Sequence, residues 1–81
     1  MKGKVVLFNS KRGMAALITE SGGYTSFEIL GYEALELGDI VQGNLESLGS
    51  HKWYNYTKME DFDVMIEDIY GSKKTALSII I

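Results

Sequence analysis

A small all-β barrel is the fold this sequence predicts. Three observations predict it: short runs of β-branched and apolar residues, glycines at the bends between them, and no proline. The chain has 81 residues, 46% of them hydrophobic, 23% charged and 11% aromatic. Disordered segments lack the aromatic and β-branched side chains that offset chain entropy, so this composition belongs to a folded domain. A chain this short has one core and buries only about 60% of the surface its unfolded form exposes. A deep cleft for a large cofactor would remove core it needs, so shallow surface binding with no cofactor is the expected mode.

The first strand is expected at residues 4 to 8, the second at 14 to 19 (Met-Ala-Ala-Leu-Ile-Thr) and the third at 24 to 29 (Tyr-Thr-Ser-Phe-Glu-Ile). Between the last two, Ser21-Gly22-Gly23-Tyr24 reads as a two-residue hairpin turn in which both glycines take positive φ. Gly31 to Glu36 is a polar connection, and Gly38 to Leu45 is a turn feeding a fourth strand. Asp61 to Ile69 is favoured as a fifth strand, because Phe62, Val64 and Ile66 alternate with polar positions. A helix stays open there, since Met59, Phe62, Ile66, Ile69 and Tyr70 also fall at helical spacing. The tail reads as a short helix begun at Ser72 or as an extra strand. Five antiparallel strands with glycine bends close into a barrel, which removes exposed sheet edges. Residues 1–70 make this domain, and 71–81 are an extension expected to continue into a longer chain.

Lys2-Gly3-Lys4-Val5 followed by Phe8-Asn9-Ser10-Lys11-Arg12-Gly13 resembles the first strand and turn of cold-shock domains, with Leu17-Ile18-Thr19 and a third-strand phenylalanine following. The resemblance covers residues 1 to about 48, and Asn9 to Gly13 is its specific part. It implies an OB-fold barrel that binds single-stranded RNA or DNA on the outer face of the second and third strands. Lys4, Leu7, Lys11, Arg12, Met14, Leu17 and Tyr24 are the contacts it implies, with Lys11 and Arg12 on phosphate. The chain departs from the family where the family stacks bases. Leu7 stands in place of a tryptophan, and Met14, Ala15, Ala16 and Leu17 stand where two phenylalanines belong. Stacking on a ring contributes about 1–3 kcal/mol per base, so the implied binding is expected to be weakened.

The two-residue turn also sets a register. Ile18 would oppose Phe27 and Ala16 would oppose Ile29, putting Met14, Ala16, Ile18, Phe27 and Ile29 on the core face. Ala15, Leu17, Thr19, Tyr24, Ser26 and Glu28 would then face outward, with Glu28 where the family has a histidine.

Net charge is −3, unevenly spread: residues 1–27 hold Lys2, Lys4, Lys11 and Arg12 against Glu20, whereas residues 28–50 hold Glu28, Glu33, Glu36, Asp39 and Glu46 with no base. An acidic balance disfavours non-specific phosphate binding, although the N-terminal basic group offers a local patch. A second candidate surface is Trp53, Tyr54 and Tyr56 beside His51, Lys52 and Lys58, which suits either base stacking or a protein partner. Trp53 equally suits the plugging of a barrel end.

Catalytic and metal-binding readings find little support. His51 is the single histidine and no acid and nucleophile are patterned around it. Glu60, Asp61, Asp63, Glu67 and Asp68 lack the glycine and spacing of a calcium loop. The chain has no cysteine, which excludes thiolate chemistry. The four apolar residues before Asn9 are too few for a signal peptide, and no run reaches the roughly 20 that a membrane helix needs, so a cytoplasmic, membrane-free domain is expected. The function expected is therefore a non-catalytic binding module for single-stranded nucleic acid or, as the alternative, for protein.

Overall fold

The first three apolar runs form strands where the sequence places them: β1 (Lys2–Asn9), β2 (Met14–Thr19) and β3 (Tyr24–Ile29). The structure is a computed structural model, and it describes residues 1–31 and 34–81. Tyr32 and Glu33, within the connection expected from Gly31 to Glu36, lie outside the described residues. Beyond them come β4 (Ile40–Gln42), β5 (Gly49–Asn55), β6 (Glu60–Gly71) and α1 (Lys73–Ile80). All strand pairings are antiparallel, and the order β1-β2-β3-β6-β5-β4 closes when β4 pairs with β1. The all-β barrel is thus the observed class, with six strands among the described residues in place of five.

The additional strand is β5, where Lys52 opposes Asp63 and Trp53 opposes Phe62 on β6. Its sequence, Gly-Ser-His-Lys-Trp-Tyr-Asn, carries no β-branched residue and only Trp53 and Tyr54 favour a strand, so much of its order comes from pairing with β6. The segment from Asp61 to Ile69 is a strand, not a helix. At 12 residues, β6 is long enough to pair with β5 over residues 60–66 and with β3 from Val64 to Gly71, the two overlapping at Val64, Met65 and Ile66. The tail takes the helical alternative, capped by the Ser72 hydroxyl, which accepts from the Thr75 amide at 3.1 Å.

The β2–β3 turn differs from the expected one. The Thr19 amide donates to the Gly23 carbonyl at 3.0 Å, and the Gly22 amide donates back to the Thr19 carbonyl at 2.9 Å. This is a three-residue loop, Glu20-Ser21-Gly22, with Gly22 alone supplying the left-handed residue at φ +92°. The register moves with it, so that Ile18 opposes Tyr24 and Ala15 opposes Phe27. Because Ile18 was expected opposite Phe27, the slip is three residues, an odd number, and β2 turns over. Ala15, Leu17 and Thr19 are therefore buried in the barrel, while Met14, Ala16 and Ile18 lie on its outer side. On β3 the expected faces hold: Phe27 is inside, and Tyr24, Ser26 and Glu28 are outside.

An aromatic chain centres the interior. Phe27 meets Trp53 edge-on at 4.8 Å between centroids, and Trp53 meets Phe62 likewise at 6.0 Å. Each such contact adds about 0.5–1.5 kcal/mol to what ring burial supplies. The Trp53 indole donates to the Asn44 carbonyl at 3.0 Å, so its polar edge is satisfied while the ring is 1% exposed. Gly43 permits this arrangement, since a Cβ there would sit 2.6 Å from Trp53 Cδ1. Gly43→Ala is expected to lower stability by about 1–3 kcal/mol through overpacking. Urea unfolding followed by Trp53 fluorescence reads the loss directly.

Candidate functional site

A single irregularity in β1 creates the candidate site. Val5 opposes Leu17 but Leu7 opposes Ala16, which leaves Val6 as an extra residue in a β-bulge. Before the bulge Gly3 and Val5 point inward and Lys2 and Lys4 outward; after it Phe8 packs on the core while Leu7 joins the outer cluster. The bulge thus adds Leu7 and Asn9 to the outer face that already carries Met14, Ala16, Tyr24 and Ser26.

That face is covered by α1. Ala16, Ala76 and Ile80 form a second buried cluster, each at 0% exposure, with Leu7, Met14, Tyr24 and Ile79 packed around it. The helix contributes Ala76, Ile79 and Ile80, an i, i+3, i+4 stripe on one side. Its C-terminal carbonyls, which no helical amide can satisfy, are met by the barrel. Arg12 Nη1 donates to the Ile79 carbonyl at 2.8 Å, and Asn9 Nδ2 donates to the Ile80 carbonyl at 3.0 Å. Arg12 also places a positive charge at the negative end of the helix dipole.

The residues expected to touch nucleic acid are now placed. Leu7, Met14 and Tyr24 come together, but beneath α1, and Arg12 is engaged on the helix terminus. Leu17 sits in the barrel interior at 0% exposure, so its expected outward position is corrected; the three-residue turn is the cause. Lys11 is exposed in the β1–β2 turn, and Lys4 is exposed opposite Ile40 of β4. Ser26, paired with Ala16, is fully buried, and its hydroxyl has no hydrogen-bond partner among the described residues. Pattern reading missed α1 as a component of this face. The signal for it was present in Ser72 three residues ahead of Thr75, followed by the Ala76, Ile79, Ile80 stripe.

The second candidate surface divides. Trp53 is in the core, which corrects its place in an exposed patch, because β5 alternation turns it toward Phe27 and Phe62. Tyr54 and Tyr56 remain outside, edge-to-face at 5.0 Å, with Lys2 Nζ 4.8 Å above the Tyr56 ring. The neighbouring polar groups are tied into the fold. His51 bonds the Ser47 carbonyl at 2.8 Å, Lys52 pairs with Asp63 at 3.3 Å, and Lys58 reaches Glu36 at 3.0 Å and Asp39 at 3.5 Å. The 2% exposed Asp39 also accepts from Asn55 Nδ2 at 2.8 Å, joining the β4 entrance to the end of β5. Among the described residues no three His, Cys, Asp or Glu side chains gather to hold a metal ion. No helix among them is long and apolar enough to cross a membrane.

Compared with protein-family models, curated proteins and solved structures, the chain matches none.

The hydrogen bond that Lys58 donates to Glu36 raises the Lys58 pKa above 10.5, with the Asp39 and Glu36 charges acting in the same direction and burial opposing. A raised pKa in the folded state stabilises fully below the unfolded value and ceases to do so as pH climbs through the folded one. The urea midpoint is therefore expected to fall above pH 10.5. Lys58→Met should remove that component of the fall, which a pH series on the two proteins measures by difference.

Proposed function

We propose that this chain is a non-catalytic binding module, a cold-shock-like OB-fold barrel that contacts protein and has lost single-stranded nucleic acid as a ligand of its β1–β3 face. The observation that carries this reading is the seating of α1 on that face, with Ala16, Ala76 and Ile80 fully buried between sheet and helix. By resemblance, bases would stack there. The space is taken by an aliphatic seam, the one ring on it among the described residues is Tyr24, and Arg12 is committed to helix carbonyls. Without successive rings, the roughly 1–3 kcal/mol per stacked base is not recovered. The acidic net charge of −3 also opposes the counterion-release contribution to nucleic-acid affinity. The pair of exposed Tyr56 and half-buried Tyr54 supports the same reading, since tyrosines concentrate binding energy in protein interfaces.

Titration of the labelled chain with short single-stranded RNA and DNA, at low and physiological salt, tests this by amide NMR. No saturable shift is expected at Leu7, Lys11, Arg12, Met14 or Tyr24. Saturable, salt-sensitive shifts at those residues would return the face to nucleic acid and defeat the protein-binding reading.

A further inference from the structure

Two separate clusters of buried side chains hold the molecule. One fills the barrel around Phe27, Trp53 and Phe62; the other lies between the sheet and α1. Only Ser72 stands between the last residue of β6 and the first of α1. α1 contributes no strand pairing and no residue of the barrel cluster, so lifting it removes none of either. An isolated helix of eight residues is scarcely populated in water, so α1 is helical because it is seated.

What is seated defines what the face recognises. The sheet offers Leu7, Met14, Ala16 and Tyr24 to a stripe of one small and two aliphatic residues, and it offers Asn9 and Arg12 to open carbonyls of a last helical turn. This is recognition of an amphipathic helix through i, i+3, i+4 anchors. The match is incomplete, because Ser26 Oγ is buried on this face without a partner among the described residues. A buried hydroxyl left unpaired penalises the arrangement that buries it. The seated helix thus occupies the face under a penalty that a competing helix bearing a polar atom at that point does not carry.

We propose that α1 is an internal stand-in, and that the β1–β3 face binds a short amphipathic helix of a partner protein by displacing it. The partner helix presents a small residue followed by aliphatic residues three and four positions later, and ends with its last carbonyls open to Asn9 and Arg12. The inference rests on the protein-binding reading and names the partner that reading leaves unspecified. A short tether gives α1 an effective concentration in roughly the millimolar range, so displacement requires a partner that outbids it in affinity, and the unpaired Ser26 lowers that threshold.

The experiment uses the full chain with Ile80→Asp, which unseats α1, and a blocked synthetic peptide of residues 72–81 as the probe. The variant should keep the dispersed spectrum and near-ultraviolet Trp53 signal of the barrel and lose amide protection in α1. The peptide should bind it saturably, shifting Leu7, Met14, Ala16, Tyr24 and Ser26, whereas a peptide carrying the same Ile80→Asp change should not bind. The unmodified chain should bind the peptide at least about tenfold more weakly, because its own helix competes. Ala76→Glu serves as a second unseated variant should Ile80→Asp fail to fold.

Failure of the peptide to bind either unseated variant at about 1 mM overturns helix exchange. If single-stranded oligonucleotides bind there instead, the protein-binding reading falls with it; if neither binds, exchange alone falls and the face is a permanent seam. Concentration-dependent dimers of the unmodified chain with the same shifts would assign the face to a second copy and overturn the partner assignment.

Discussion

The pairing of Thr19 with Gly23 governs the rest of the molecule. It closes the β2–β3 loop at three residues, and that length decides which side of β2 faces the barrel. With Ala15, Leu17 and Phe27 turned inward, Phe27 reaches Trp53 and the aromatic chain to Phe62 is complete. The same register turns Ala16 outward, a residue small enough for a helix to approach the sheet closely. Had the loop closed at two residues, Leu17 would face solvent and Ala16 would leave space in the core. One backbone pair therefore specifies both the interior and the surface on which α1 sits.

The Val6 bulge does for β1 what the loop does for β2. A regular strand carrying Val5 inward would also carry Leu7 inward and turn Phe8 out. The extra residue reverses this, placing Phe8 on the core and Leu7 and Asn9 on the outer face. Asn9 is then positioned to bond the Ile80 carbonyl, and Arg12, in the turn that follows, to bond the Ile79 carbonyl. Asn9 and Arg12, within the Asn9 to Gly13 segment that carries the resemblance most specifically, are thus bonded to the last turn of α1.

What the sequence made legible follows from which physical signals act locally. β1, β2, β3 and β6 announce themselves through β-branched and aromatic residues in short runs, and Ser72 announces α1 through its capping hydroxyl. β5 was hidden, because Ser50, His51, Lys52 and Asn55 carry no strand preference and the segment is ordered by pairing with β6. Trp53 stayed open between a surface patch and the plug of a barrel end for the same reason: its alternation becomes visible only once β5 is a strand. The register of β2 was hidden differently. Gly22-Gly23 is compatible with a two-residue or a three-residue loop, and both leave an alternating strand with one plausible apolar face. Both faces of β2 are largely apolar because one meets the barrel and the other meets α1, so hydrophobic pattern could not choose between them.

That double burial bears on what the outer face is for. A face of Leu7, Met14, Ala16 and Tyr24 left bare would be an apolar patch of the kind that soluble domains restrict or use for binding. A base-stacking platform avoids the problem with rings that are amphipathic and rimmed by cations. On this chain the face is largely aliphatic, and an aliphatic surface requires a cover. α1 supplies it with a small, shallow seam, tied to the barrel by side-chain bonds from Asn9 and Arg12 that lie partly in solvent. A cover of that size shields the surface without entering the interior, since its cluster shares no residue with the barrel core. The aliphatic face and its helical cover are then two sides of one requirement: a surface of this kind is shielded by a stripe of the same chemistry.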